Sequence, residues 1–176
     1  MGFFDALLGR SRPPAPDLDA LFSIPNAAVT LETTLGLRST GVGSVCFRGA
    51  SGPAFEAMSE EVSALIQSDS AAPAVSTAKD SLGYTWLTVS GEPGDLSTLC
   101  TQLHAVNSTL EHQGFGHGLL CTLVGFTSPE DQRVGLVYLY KQGTFYPFVP
   151  VAGTRTRDNL VEFQVRDALV GELVVE

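Results

Sequence analysis

Cys100 and His104 stand four residues apart, a spacing that puts two side chains on one face of a helix. There an imidazole can draw the proton from a thiol and leave a nucleophilic thiolate, the pattern of a small thiol-dependent hydrolase. Cys100 also sits beside the stripe Leu96, Leu99, Leu103, Val106 and Leu110, and a thiol among aliphatic side chains is an inert core residue. His104, His112 and His117 are the three histidines of the chain. Residues eight apart on a helix point about 80° away from each other, so one ion would need the following turn to fold back and Glu111 to join. Solvated histidines are the simpler reading, and neither metal nor cofactor is expected.

Four other motifs fail for want of context. Ser76-Thr77-Ala78-Lys79 matches S-x-x-K, and Lys141-Gln142-Gly143-Thr144 echoes K-T-G. That acyl-transfer chemistry needs serine and lysine on the first turn of one helix, whereas here they fall in a loop or strand start. Gly114-Phe115-Gly116-His117-Gly118 resembles a phosphate cradle, yet it follows a helix and opens a strand, the reverse of a dinucleotide fingerprint. Asn107-Ser108-Thr109 is a glycosylation sequon placed in mid-helix.

The elements that carry these residues follow from periodicity. Residues 2–9 set Phe3, Phe4, Leu7 and Leu8 at helical spacing before Pro13-Pro14-Ala15-Pro16, so 1–12 reads as an amphipathic helix and 13–16 as a stiff tether. Residues 17–176 read as one α+β domain. Asp17 caps a short stretch to Phe22, and Asn26 opens a helix closed by Gly36. Gly41 to Arg48 is a strand, and Pro53 to Gln67 a helix with Phe55, Met58, Val62, Leu65 and Ile66 on one face. Ser68 to Thr77 reads as a surface loop and Leu82 to Ser90 as a strand. Asp95 caps the clearest helix, which Gly114 ends.

Leu119 to Phe126 reads as a strand buried on both faces. Val134 to Tyr140 and Thr144 to Val149 form a hairpin about a two-residue Gln142-Gly143 turn. Asp158 to Leu169 fits either period, and helix is preferred. The order predicts a single mixed, largely antiparallel β-sheet with helices packed mainly on one face.

Composition narrows the function. The 176 residues include 10 Lys+Arg against 19 Asp+Glu, a net charge of -9, which repels nucleic-acid phosphates and anionic headgroups alike. Charged residues are 16% of the chain, below the usual quarter, which favours surfaces covered by partners. Three cysteines without C-x-x-C spacing read as reduced thiols of a cytoplasmic protein. Neither a signal peptide nor a membrane-spanning run is recognised, so membrane contact is at most peripheral and through residues 1–12. The hairpin concentrates Tyr138, Tyr140, Phe145, Tyr146 and Phe148. Strand side chains alternate between faces, and Pro147 marks an edge strand. Some of these rings are therefore expected at a protein interface.

Several segments together resemble one family: MGFFDALLGR at the start, Asp19 to Glu32 (DALFSIPNAAVTLE), Gly41 to Arg48 (GVGSVCFR), Asp80 to Trp86 (DSLGYTW), LHAVNSTLE and GFGHGLL between Leu103 and Phe126, and Tyr138 to Pro147 (YLYKQGTFYP). In collinear order they resemble the PspAB family, named for association with phage-shock-protein A. The resemblance implies an accessory protein of an actinobacterial or archaeal envelope-stress system, encoded near PspA-like proteins or an HtpX-like membrane metalloprotease, with no catalytic residues to carry across. The expectation is a non-enzymatic adaptor that binds a PspA-like coiled coil or a membrane metalloprotease through Phe3, Phe4, Leu7 and Leu8 and through Tyr138, Tyr140, Phe145, Tyr146 and Phe148. The competing readings are a thiol hydrolase using Cys100 and His104, and a chaperone-like homodimer that holds client proteins.

Overall fold

The computed structural model describes residues 17–48, 57, 60–62, 64 and 74–176. The segment bearing Phe3, Phe4, Leu7 and Leu8, and the 13–16 tether, lie outside the described residues. Asp17 accepts a hydrogen bond from the Asp19 N–H and starts a 3-10 turn, Leu18–Ser23, that runs into helix α1, Ile24–Leu35. α1 opens two residues before Asn26 because Pro25, which has no N–H to leave unpaired, fits the first helical turn. Gly36 ends it in the left-handed region, at φ 67°, where its N–H reaches the Glu32 carbonyl at 3.0 Å.

Six strands make one sheet: β1 (Arg38–Arg48), β2 (Ala74–Lys79), β3 (Tyr84–Ser90), β4 (Leu119–Thr127), β5 (Arg133–Leu139) and β6 (Thr144–Phe148). Their order is β2-β3-β1-β4-β5-β6 and every adjacent pair is antiparallel. The sheet is thus antiparallel throughout rather than mixed. The predicted loop over Ser68 to Thr77 is corrected at its end, since β2 begins at Ala74 and pairs with β3 from Ala74↔Ser90 to Lys79↔Thr85. An edge strand buries little on either side, so AVSTAK shows no alternation of apolar and polar residues. Of the predicted helix over Pro53 to Gln67, residues 57, 60–62 and 64 are described and helical, with Val62 fully buried.

Helix α2, Leu96–His112, connects β3 to β4 and crosses the core face of β1. Asp95 accepts from the Thr98 N–H at 3.1 Å and caps it. Leu96, Leu99, Leu103, Val106 and Leu110 line its buried face, as their spacing predicts. Leu103 comes so close to Gly43 of β1 that a Cβ there would meet its methyl groups, so the glycine lets helix and sheet approach. Helix α3, Asn159–Leu169, confirms the helical reading of that segment and is capped by Asp158, which accepts from the Val161 N–H at 3.2 Å. α1, α2 and α3 meet the same sheet face, where Val45, Phe47, Leu87, Val89, Val124, Phe126, Leu136, Tyr138 and Phe145 join them in one core.

Both ends of the sheet bear on function. The outer edge of β6 is occupied by the chain's own tail: the Phe145 N–H donates to the Val174 carbonyl at 2.8 Å, and the Glu176 N–H to the Phe145 carbonyl at 2.9 Å. Further along, the Val149 N–H donates to Glu162 Oε1 at 2.9 Å, and the Asp158 N–H to the Val149 carbonyl at 2.8 Å. Pro147 falls between them at an outward position, where its missing N–H leaves no donor unpaired. No further strand pairs with β2 among the described residues. The β5–β6 connection is the four residues 140–143, longer than the two-residue turn expected, with Gly143 at φ 71°.

Candidate functional site

The residues that suggested catalysis do not assemble. Cys100 is fully buried among the leucines of α2, and burial pushes its thiol up to about 12, away from the thiolate a nucleophile needs. His104 faces outward. Its Nε2 lies 3.0 Å from Asp19 Oδ1, its Nδ1 lies 3.4 Å from Ser108 Oγ, and its ring meets that of Phe22 at a 34° tilt, 4.8 Å between centroids. A serine, a histidine and an aspartate in line invite comparison with a hydrolytic triad. Ser108, however, lies within α2, where the neighbouring backbone N–H groups are consumed by helical hydrogen bonds and cannot serve an oxyanion. The Asp19 side chain is 83% exposed, so water screens whatever it lends the ring. Sequence reasoning missed this cluster because Asp19 and His104 are 85 residues apart.

No group of three or more metal-ligating side chains occurs among the described residues. Ser76 and Lys79 lie on β2, which is extended, so the helical geometry of the S-x-x-K motif is missing. Asn107 is fully buried rather than presented for glycosylation; its Nδ2 donates to Thr122 Oγ1 at 3.2 Å and to the Tyr140 hydroxyl. A groove of about 470 Å³ between α1, β1 and the turn before α2 has Pro25, Val29, Leu37, Pro93 and Leu96 in its walls, and its one ion pair is Arg38 Nε to Glu32 Oε1 at 2.9 Å.

The aromatic hairpin divides between the two faces of the sheet. Tyr138, Tyr140 and Phe145 point to the helices and are 1%, 3% and 3% exposed, so these three build the core and present no surface to a partner. Tyr138 meets Tyr140 edge-on at 5.1 Å and Phe145 at 4.7 Å. The Tyr140 hydroxyl joins Thr122 and Asn107 in a buried polar cluster. Tyr146 and Phe148 point the other way and are half-buried.

That second face is the most distinctive surface of the molecule. Register places Trp86 beside Cys46, Cys46 beside Cys121, Leu123 beside Val137, and Val137 beside Tyr146. Cys46 and Val137 are buried yet stand apart from the helix-side core. Trp86, Cys121, Leu123, Leu139, Tyr146 and Phe148 are each half-buried. β4 is therefore fully buried on one face only, which corrects the expectation of burial on both. The interior of this face has no charged side chain among the strand positions described. Arg48 and Arg133 stand at strand ends, and Arg157 lies over the Tyr146 and Phe148 rings at 5.8 and 5.6 Å. Asp80 accepts from Trp86 Nε1 at 3.0 Å, and that bond holds its carboxyl below the usual carboxylate range.

An uncharged centre with aromatic rings and an arginine rim has the composition of a protein-binding surface. The family model for PspA associated protein B matches residues 1–176, the whole chain. The chain belongs to this family. No curated protein and no solved structure matches it. Membership agrees with the resemblance carried by the sequence motifs, and the family's name records an association with PspA. Among the described residues no helix is long and apolar enough to cross a membrane.

Proposed function

We propose that this member of the PspA associated protein B family is a non-enzymatic adaptor that binds a PspA-like protein through the helix-free face of its sheet. The observation that carries the reading is the uncharged band from Trp86 through Leu123 to Tyr146 and Phe148, left without a covering helix among the described residues. Monomeric proteins rarely leave a broad apolar surface without a use for it. Arg48 and Arg133 make no ion pair among the described residues, so the rim suits a partner helix with an apolar stripe flanked by carboxylates. The role belongs to an envelope-stress system on the cytoplasmic side of the membrane, where residues 1–12 add a second contact to the partner or to a membrane metalloprotease.

Titration calorimetry with the PspA-like protein of the same genome tests this. Leu123→Glu and Tyr146→Glu place charge in a surface that binding would dehydrate, which costs well over the 1.4 kcal/mol of a tenfold change. Affinity should fall at least about tenfold in each, with the far-ultraviolet circular dichroism of the native protein retained. Unchanged affinity in both would refute the assigned face. Deletion of residues 1–12 measures the contribution of Phe3, Phe4, Leu7 and Leu8 separately.

A further inference from the structure

We propose that Cys46 and Cys121 form an oxidation site at which a hydroperoxide closes a disulfide between β1 and β4. The two residues are direct cross-strand partners, and both are free thiols. Opposed residues of antiparallel strands have Cα atoms about 4.5–5.5 Å apart, inside the roughly 4.4–6.8 Å range that a disulfide spans. Because partners in register point to the same face, the two side chains lie side by side on it. The register shifts immediately beyond the pair, where Phe47 opposes Leu119, so β4 holds an extra residue, Leu120, beside Cys121. Such irregularities re-aim neighbouring side chains.

The two thiols differ in a way that assigns their roles. Cys121 is half-buried and Cys46 is 3% exposed, so a small oxidant reaches Cys121 first. The Cys46 thiol, as hydrogen-bond donor, favours the thiolate of Cys121 and lowers its pKa, while the same bond and burial raise that of Cys46. Cys121 is therefore the attacking sulfur and Cys46 the resolving one. In the first step the Cys121 thiolate attacks one peroxide oxygen, the O–O bond breaks, and hydroxide or alkoxide leaves a sulfenic acid. In the second the Cys46 sulfur attacks that of Cys121, the S–O bond breaks, and water departs with the Cys46 proton. The pair loses two electrons and two protons, and the hydroperoxide is reduced to water and water or alcohol. Cys100 takes no part, since it lies in the helix-side core on the other face of the sheet.

The inference stands on register, burial and the bond between the two thiols, and survives if the partner surface proves to lie elsewhere. Its test exposes the purified full-length chain to a small excess of hydrogen peroxide, quenches it in denaturant with an alkylating agent, and maps the peptides without reduction. The expected result is a fall from the three thiols of the sequence to one, at Cys100, a peptide linking Cys46 to Cys121, and full recovery with dithiothreitol. Cys46→Ser should accumulate a sulfenic acid at Cys121 that a cyclic dione traps, and Cys121→Ser should leave Cys46 unmodified at the same dose. Persistence of all three thiols, a link through Cys100, or a bridge between two chains would overturn it. The wild-type peptide map decides the matter even if a variant fails to fold.

Discussion

Glu162 secures the end of the sheet that the tail also covers, and its removal gives a calculable loss. Its side chain is 8% exposed, and Oε1 accepts from the Val149 N–H at 2.9 Å and from Arg157 Nε at 2.8 Å, while Oε2 accepts from Arg157 Nη2 at 2.7 Å. Glu162→Ala leaves the buried Val149 N–H without a partner, about 1–3 kcal/mol, and removes one buried methylene, about 0.8 kcal/mol. Arg157 is 48% exposed, so water replaces its lost partner and the ion pair adds less than about 1 kcal/mol. The expected total is about 3 kcal/mol, which in a chain of this size lowers Tm by about 6–12 °C. Glu162→Gln keeps an acceptor for Val149 and should cost about 1 kcal/mol. Urea unfolding followed by circular dichroism measures both.

The same residue sets a pH dependence. The hydrogen bonds from Arg157, with that from Val149 behind them, hold the Glu162 carboxyl below its ordinary value. A carboxylate depressed in the folded state contributes stability that is present above the unfolded pKa and lost as pH falls through the folded one. Acid should therefore destabilise the native protein below the ordinary glutamate range, and Glu162→Gln should flatten that limb. An alanine variant within about 0.5 kcal/mol of the native protein would refute the clasp.

Leu103→Ala should cost about 3 kcal/mol by opening a cavity where α2 rests on Gly43, measurable by the same unfolding curves. Gly41 has φ 72° and sits against the Gly91 carbonyl, so Gly41→Ala should cost about 3 kcal/mol or more and lower Tm accordingly. Deleting residues 173–176 frees the Phe145 N–H and carbonyl on the β6 edge, and light scattering should then show concentration-dependent self-association absent from the full chain.

Local signals read well and long-range ones did not. Asp95 followed by leucines at three-and-four spacing specified α2, because cap and stripe both lie within its own residues. The segment from Asp158 was ambiguous by periodicity, and the Asp158 cap together with burial of Val165 and Leu169 decided for helix. β2 escaped notice because an edge strand of serine, threonine and alanine lacks the alternation that marks a half-buried one. Period-two spacing said only that some of the hairpin aromatics leave the core, and the position of the helices shows that Tyr138, Tyr140 and Phe145 face inward. The Cys46–Cys121 pair was equally invisible, since register between β1 and β4 is set by contacts 75 residues apart in the chain, from 121 less 46.

Side-chain footprinting with hydroxyl radicals, with and without the PspA-like protein, tests the central claim most directly. Trp86, Leu123, Tyr146 and Phe148 should lose reactivity several-fold on binding, while Leu160 and Phe163, exposed on α3, should react as before. Protection of the α3 residues with no change across the sheet would contradict the account.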